Sequence, residues 1–366
     1  MHVGIDLLWV RPGICGGTES FIRNLLDGFL QYDTENEYTL FVSEDNAHTF
    51  EHYGTFPMFK IKVCPIKSAV QAKRIIWENL HMSKCAKDTK VDVMFLPVYS
   101  KPLTCWNKIP YVSVIHDLQA LHYPEYFGFF RRLFFKWAWY HACKTSSKVI
   151  AISEYGKKDI VHYYPFAKDR VLVIPDPIVT CDSTTEIEQL EEKYKLTKGQ
   201  YFYCVSSLLP HKNLNTLLQV MSQWQGTEVL VLSGVGNQNQ ELQGLIEKYN
   251  IKNKLILTGF VSDSERDCLY ENCKLFVYPS VFEGFGMPPI EAMRKGKRVV
   301  MTEKSCLRDI TMGMAIYVEN PYSVEEWKEK IGFSMGLPEE KLDFPEYNLE
   351  VVVKAYKKAF QDAVNK

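Results

Sequence analysis

Short apolar runs recur along this chain, each followed by a turn and then by a longer stretch with polar and apolar positions at helical spacing. Residues 2–9 read as a first strand. Tyr38–Val42, Ile61–Cys64, Val91–Leu96, Tyr111–Ile115, Val149–Ile152 and Val171–Ile174 read as further strands. They are apolar on both faces, as strands of a parallel sheet covered by helices are. Thr18–Gln31 has the spacing of a helix, through Phe21, Leu25, Leu26 and Phe29. The pattern then pauses at Pro175-Asp176-Pro177 and the polar stretch 180–185, which puts a domain boundary between about 175 and 198. A second alternation runs through Tyr201–Val205, Val229–Leu232, Leu255–Leu257, Leu275–Tyr278 and Arg298–Met301, with a helix expected over Pro289–Lys295. Glu350–Val364 returns to helical spacing at Val353, Tyr356 and Phe360. Strands alternating with helices predict doubly wound α/β layers. The expected division is residues 1–177, residues 178–348 and a terminal helix over 349–366.

Composition narrows the class. The chain has 366 residues and 46% hydrophobic content, enough for two cored domains. A net charge of -1 argues against bulk nucleic-acid binding. The charge is unevenly spread, with 15 Lys and Arg against 5 Asp and Glu over residues 60–148. A basic half suggests an anionic partner for that half. Phe127–His141 adds a dense aromatic run, interrupted by Arg131, Arg132 and Lys136, which suits packing in a core or contact with an anionic bilayer surface. Ten cysteines without regular spacing read as reduced thiols. The first residues read as a strand and not as a signal peptide, and no uncharged apolar run is long enough to span a bilayer. A cytoplasmic protein is expected, either free or attached peripherally to the inner face of a membrane.

The densest chemistry lies at Ser280-Val-Phe-Glu283-Gly284-Phe285-Gly286-Met287-Pro288-Pro289-Ile290-Glu291-Ala292. An apolar strand ends there and a helix begins. Glycines between them let backbone N–H groups approach a ligand, and a helix N-terminus after such a loop favours an anion. Pro288 and Pro289 suit a first helical turn. Glu283 and Glu291 flank the glycines, with Glu291 expected in the first turn. Carboxylates take hydrogen bonds from hydroxyls, so N–H groups beside carboxylates fit a sugar–phosphate ligand. Ser206-Ser207-Leu-Leu-Pro210-His211-Lys212-Asn213 follows the first strand of the second domain, where a lysine can meet developing charge on a leaving diphosphate. His116-Asp117 closes the Tyr111–Ile115 strand, and strand C-terminal ends line the ligand crevice of such sheets. Gly234-Val-Gly236 invites a dinucleotide-binding reading, which fails because the third glycine and the later acid are missing.

The Glu283–Glu291 stretch resembles, residue for residue, the EGFG-x-P-x-x-EA form of the E-x7-E signature of family 4 retaining glycosyltransferases. Gly16-Gly17, His116-Asp117, Pro210-His-Lys212-Asn213 and the Gly259-Phe260-Val261 turn resemble further segments of that family. The resemblance implies a GT-B fold, two Rossmann-like domains facing across a cleft, with the last helix crossing back to the first domain. It implies a nucleotide-sugar donor on the second domain, a saccharide or lipid-linked acceptor on the first, and retained anomeric configuration. No metal and no organic cofactor are implied. Lys212, with the helix start near Pro288, would stabilise the departing diphosphate, and Glu291 would hold ribose hydroxyls. Glu283, with the backbone amides of Phe285, Gly286 and Met287, would hold the transferred sugar, and His116 would contact that sugar near the reacting carbon. Gly16 and Gly17 would face the donor phosphates, and Phe260 and Val261 the nucleobase. Ser207 departs from the pattern, since many members carry arginine there. Two other readings stay open: a GT-B enzyme of another type, such as a nucleotide-sugar epimerase, and a non-catalytic sugar-nucleotide-binding subunit.

Overall fold

The computed structural model describes residues 1–99, 101–103, 108–180, 183–236 and 239–365. Residues 181–182 of the polar boundary stretch and residues 237–238 of the turn after Gly236 lie outside the described residues. The chain forms two compact units. Unit 1 is Met1–Pro177 together with the segment from Glu346 onward, and unit 2 is Ile178–Pro345.

Unit 1 holds a seven-stranded parallel sheet of β1 (His2–Asp6), β2 (Glu37–Ser43), β3 (Phe59–Cys64), β4 (Val93–Leu96), β5 (Tyr111–Ile115), β6 (Lys148–Ala151) and β7 (Val171–Val173). The spatial order 3-2-1-4-5-6-7 reverses direction between β1 and β4. In doubly wound sheets that switch is where ligands meet the carboxyl ends of the strands. The first strand is shorter than the apolar run predicts. Leu7, Leu8 and Val10 are fully buried, but they lie in a turn. There the Asp6 carboxylate accepts the Leu8 N–H at 3.0 Å, so burial continues after ladder pairing stops.

Helix Gly17–Tyr32 covers one face of the sheet, burying Phe21, Ile22, Leu25, Leu26 and Phe29 as its spacing predicts. Helix Leu349–Val364 packs on it. The Phe21 and Tyr356 rings lie 6.3 Å apart, and Phe95 of β4 sits 5.3 Å from both Tyr356 and Phe360. A Cβ at Gly28 would fall 2.6 Å from Leu349 Cδ1, so only glycine admits this approach.

The aromatic run forms helix Phe129–Thr145, and its rings divide. Phe135 and Trp139 are core, with Phe127 and Phe134 packed against them. Phe129, Phe130, Leu133, Trp137 and Tyr140 face solvent. No helix among the described residues is long and apolar enough to cross a membrane.

Unit 2 holds a six-stranded parallel sheet of β8 (Tyr201–Val205), β9 (Val229–Ser233), β10 (Leu255–Gly259), β11 (Leu275–Tyr278), β12 (Val299–Thr302) and β13 (Ile316–Val318). The order 10-9-8-11-12-13 places its switch between β8 and β11. The loops leaving those two strands carry Lys212 and Glu283.

Candidate active site

Two contacts bring the loops after β8 and β11 together, and a third ties the β11 loop to the end of β12. His211 O accepts the Val281 N–H at 2.8 Å and the Ser280 hydroxyl at 3.2 Å, and Thr302 Oγ1 donates to Ser280 O at 2.5 Å. Asn213 then turns the chain in a left-handed conformation, φ 50°, which Asn tolerates better than most side chains. Its amide donates to Pro321 O at 2.8 Å, which anchors the far side of the lysine loop. Lys212 is thereby delivered to Glu283, with Nζ 2.7 Å from Oε1. The Tyr278 hydroxyl, at the end of β11, donates to the same Oε1 at 2.6 Å. Burial alone would push the Glu283 carboxyl up. The charge of Lys212 and hydrogen bonds from Lys212, Ser280 and Tyr278 outweigh it and hold the carboxyl below its ordinary value. Glu283 is therefore an anion throughout the neutral range.

Behind Glu283 the loop is braced from the exit of β12. Glu283 N–H donates to Ser305 Oγ at 3.0 Å, and Cys306 Sγ lies 3.2 Å from Glu283 O and 3.1 Å from Phe285 O. Phe285 is buried, and Gly286 follows at φ 95°, a conformation open mainly to glycine. Helix Met287–Arg294 starts there. It begins two residues earlier than the sequence suggests, because Pro288 and Pro289 fit its second and third positions. Two corrections follow. Glu291 lies in the second turn and not the first. The helix start also offers fewer donors than an ordinary one, since its two prolines have no N–H.

Glu291 is almost fully buried. It takes a hydrogen bond from the Tyr270 hydroxyl at 2.9 Å, and Arg266 Nε lies 3.9 Å from the same Oε2. Both partners come from helix Asp263–Asn272, which opens with a capping box at Ser262 and Glu265. Burial raises the Glu291 carboxyl above its ordinary value, against the pull of Arg266 and the Tyr270 hydrogen bond. Ser207 is half-buried, and its carbonyl accepts the Ser206 hydroxyl at 3.2 Å. Phe260 is 79% exposed beside half-buried Val261, a ring open to stack on a planar group. Tyr270, Tyr278 and Arg266 were not singled out from sequence. The tyrosines sit in buried runs where a ring reads as core, and the only signal available was that a buried phenol needs an acceptor.

Unit 1 places its candidates at the carboxyl ends of β1 and β5. Gly16, at φ 57°, caps helix Gly17–Tyr32, and its carbonyl accepts the Glu19 N–H at 2.9 Å. The Glu19 carboxylate takes the Gly13 N–H at 3.0 Å and pairs with Arg23 at 2.8 Å, which closes the glycine loop. His116 Nε2 lies 2.8 Å from Pro97 O and must carry its proton to meet that carbonyl, so the lone pair sits on Nδ1. The ring stands edge-on to Phe21 at 5.1 Å. Burial pushes the imidazole down to about 4, and it is neutral at physiological pH. The end of β1 also gathers buried acids that the sequence did not flag. Burial raises the Asp6 carboxyl above its ordinary value, and burial and then Asp6 raise that of Glu78. Arg74 meets Glu78 at 2.5 Å. Among the described residues, no cluster of three or more His, Cys, Asp or Glu side chains is placed to hold a metal ion.

Two family profiles span most of the chain. "Glycosyltransferase Family 4" matches residues 15–180, and "Glycosyl transferases group 1" matches residues 186–358. The chain belongs to the family 4 glycosyltransferases. It is 31% identical over 333 residues to the serotype-specific mannosyltransferase WbdA of Escherichia coli, a match covering 84% of this chain and 40% of WbdA. It is 26% identical over 234 residues to the O-antigen chain mannosyltransferase RfbU of Salmonella typhimurium, covering 64% of this chain and 63% of RfbU. The matches thus span less than two thirds of these relatives' own length. Sucrose-phosphate synthase from Thermosynechococcus elongatus superposes on 100% of this chain and 95% of its own, with TM-score 0.73 and 14% identity. Anabaena HepE in complex with UDP and glucose superposes on 99% of this chain and 95% of its own, with TM-score 0.66 and 17% identity. These likenesses establish the GT-B fold.

Proposed function

We propose that this glycosyltransferase moves a sugar, with retention of anomeric configuration and without a metal ion, from a nucleoside-diphosphate sugar to a saccharide or lipid-linked acceptor in surface-polysaccharide assembly. The observation that carries this reading is the meeting of Lys212 and Glu283 at the switch point of unit 2, with Glu291 in the second turn of the helix that follows. The names of WbdA and RfbU favour a mannosyl donor. HepE was solved with UDP, so the base is left to experiment.

In this reading Glu291 takes hydrogen bonds from ribose hydroxyls and Glu283 from hydroxyls of the transferred sugar. Lys212 turns its charge to the diphosphate as the glycosidic bond breaks. His116, neutral with its lone pair on Nδ1, accepts a hydrogen bond from a sugar hydroxyl and carries no charge to the reacting carbon. Glu283 is already engaged by Lys212 and Tyr278, so it is a poor nucleophile for double displacement. Attack by the acceptor on the same face as the departing diphosphate is the step these residues support. A panel of UDP-, GDP- and dTDP-sugars tests the reading by thermal shift, since a ligand bound only to the folded protein raises its melting temperature. A shift with one sugar nucleotide, followed by release of its nucleoside diphosphate when acceptor is added, is expected. No shift with any of them would refute it.

We also propose that unit 1 rests on an anionic leaflet through helix Phe129–Thr145. Its outer face exposes Phe130 at 84% and Phe129 at 60%, with Leu133 and Trp137 beside them. The helix carries Arg131, Arg132, Lys136 and Lys144 and no acidic residue. Each basic residue near such a surface contributes about 1 kcal/mol, screened within about 10 Å. Co-sedimentation with anionic vesicles at low salt is expected, with loss in high salt and weakening by Arg131→Glu with Arg132→Glu. Absence of binding to anionic and neutral vesicles alike would leave an enzyme to which the acceptor must travel.

A further inference from the structure

Glu283 presents a problem of timing. Two donors converge on one of its oxygens, Lys212 at 2.7 Å and Tyr278 at 2.6 Å. Under the proposed function, on which this inference rests, Lys212 is needed at the diphosphate when charge develops there. A lysine has one charge. As it turns toward the departing group, a carboxylate that is nearly buried loses its counter-ion. A buried anion without donors is costly and relaxes toward water or takes up a proton. Either event would move the group that holds the sugar at the moment its position matters most.

Tyr278 is built to prevent this. Its ring is 3% exposed and stacks on Phe276 at 6.0 Å; Phe276 in turn meets Tyr270 edge-on at 5.2 Å and Tyr203 at 5.9 Å. The ring therefore cannot follow Lys212 when it moves. The hydroxyl belongs to the last residue of β11, a strand paired with both β8 and β12, and Tyr278 itself pairs with Met301 of β12, so the donor is mounted on the sheet and not on a loop. Burial and the adjacent Glu283 also push the phenol far above its usual range, so it remains a donor at every working pH.

We infer that Tyr278 is a positioning residue for the transfer, whose hydroxyl keeps the Glu283 carboxylate in place while Lys212 turns to the departing diphosphate. The tyrosine does not touch substrate; it acts through Glu283.

Tyr278→Phe tests this, since it keeps the ring and removes only the donor. Loss of one hydrogen bond to a charged group corresponds to roughly 10- to 100-fold, here in kcat/KM for transfer. Affinity for free nucleoside diphosphate and the melting temperature with bound nucleotide are expected to stay near wild type. The acid limb of the kcat/KM profile is expected to move to higher pH, because Glu283 loses one of the bonds that favour its ionised form. A hydroxyl with a purely structural role would lower stability and leave that limb in place. Glu283→Ala is measured alongside. If Glu283→Ala loses transfer while Tyr278→Phe keeps wild-type kcat/KM and an unmoved acid limb, the tyrosine has no positioning role and the inference is overturned. If Glu283→Ala itself transfers normally, the reading of the donor site falls first, and Tyr278 with it.

Discussion

Alanine at position 212 is expected to lower turnover by about 10²–10³ while changing donor affinity little, because one preorganised charge aimed at a developing anion is worth that much in rate. The geometry explains why binding and turnover should separate. Lys212 and Glu283 pair at 2.7 Å, and their side chains are 19% and 11% exposed. A ground-state donor must compete with Glu283 for the lysine, so the cation adds little net affinity before bond cleavage. Once the diphosphate departs with its extra charge, the balance tips and the full interaction is realised. Removing Lys212 also strips Glu283 of its counter-ion, so unit 2 is expected to lose some stability. Lys212→Gln, which retains a donor to Glu283, separates the effects: its melting temperature should recover while turnover stays low. Steady-state kinetics on both variants decide it. Turnover near wild type in the alanine variant would remove Lys212 from the mechanism.

The two signature carboxylates are expected to separate by ligand in calorimetry. Glu291→Ala should weaken free nucleoside diphosphate and sugar nucleotide together, by roughly 10- to 100-fold, the worth of a hydrogen bond to a charged group. Glu283→Ala should weaken only the sugar nucleotide. Its pairing with Lys212 sharpens this expectation: without Glu283 the lysine is released, so free nucleoside diphosphate should bind as well as before or better. Parallel losses of both ligands in Glu283→Ala would assign that carboxylate to the nucleotide and reverse the two roles.

Much of this was legible in the sequence, and particular residues show where legibility ended. Tyr111–Ile115, Tyr201–Val205 and Leu275–Tyr278 are strands with the bounds their apolar runs gave, because a strand buried on both faces leaves no polar position to blur its edges. The run 2–9 overreached, because apolar residues fill a buried turn as readily as a strand. Helix Gln71–Asp88 was not anticipated. It exposes Ile76 and Leu80 to solvent, which spoils its apolar stripe. At the site, Lys212, Glu283 and Glu291 were found through their motifs. The bond between Lys212 and Glu283 was not, since 71 residues separate them and only the sheet order brings their loops together. Tyr278 was counted as the end of an apolar strand, and its hydroxyl had no meaning until its acceptor was placed.

The seat of helix Leu349–Val364 on helix Gly17–Tyr32 has a consequence for the order in which the polypeptide matures. A ribosome releases Phe21, Phe29 and Phe95 early, yet the rings that cover them, Tyr356 and Phe360, emerge after all of unit 2. Unit 2 has every strand of its sheet in hand before unit 1 can close. The first-made half of the molecule is therefore the last to finish, and its apolar groove beside Gly28 stays open to chaperones or aggregation for the time needed to translate the second half.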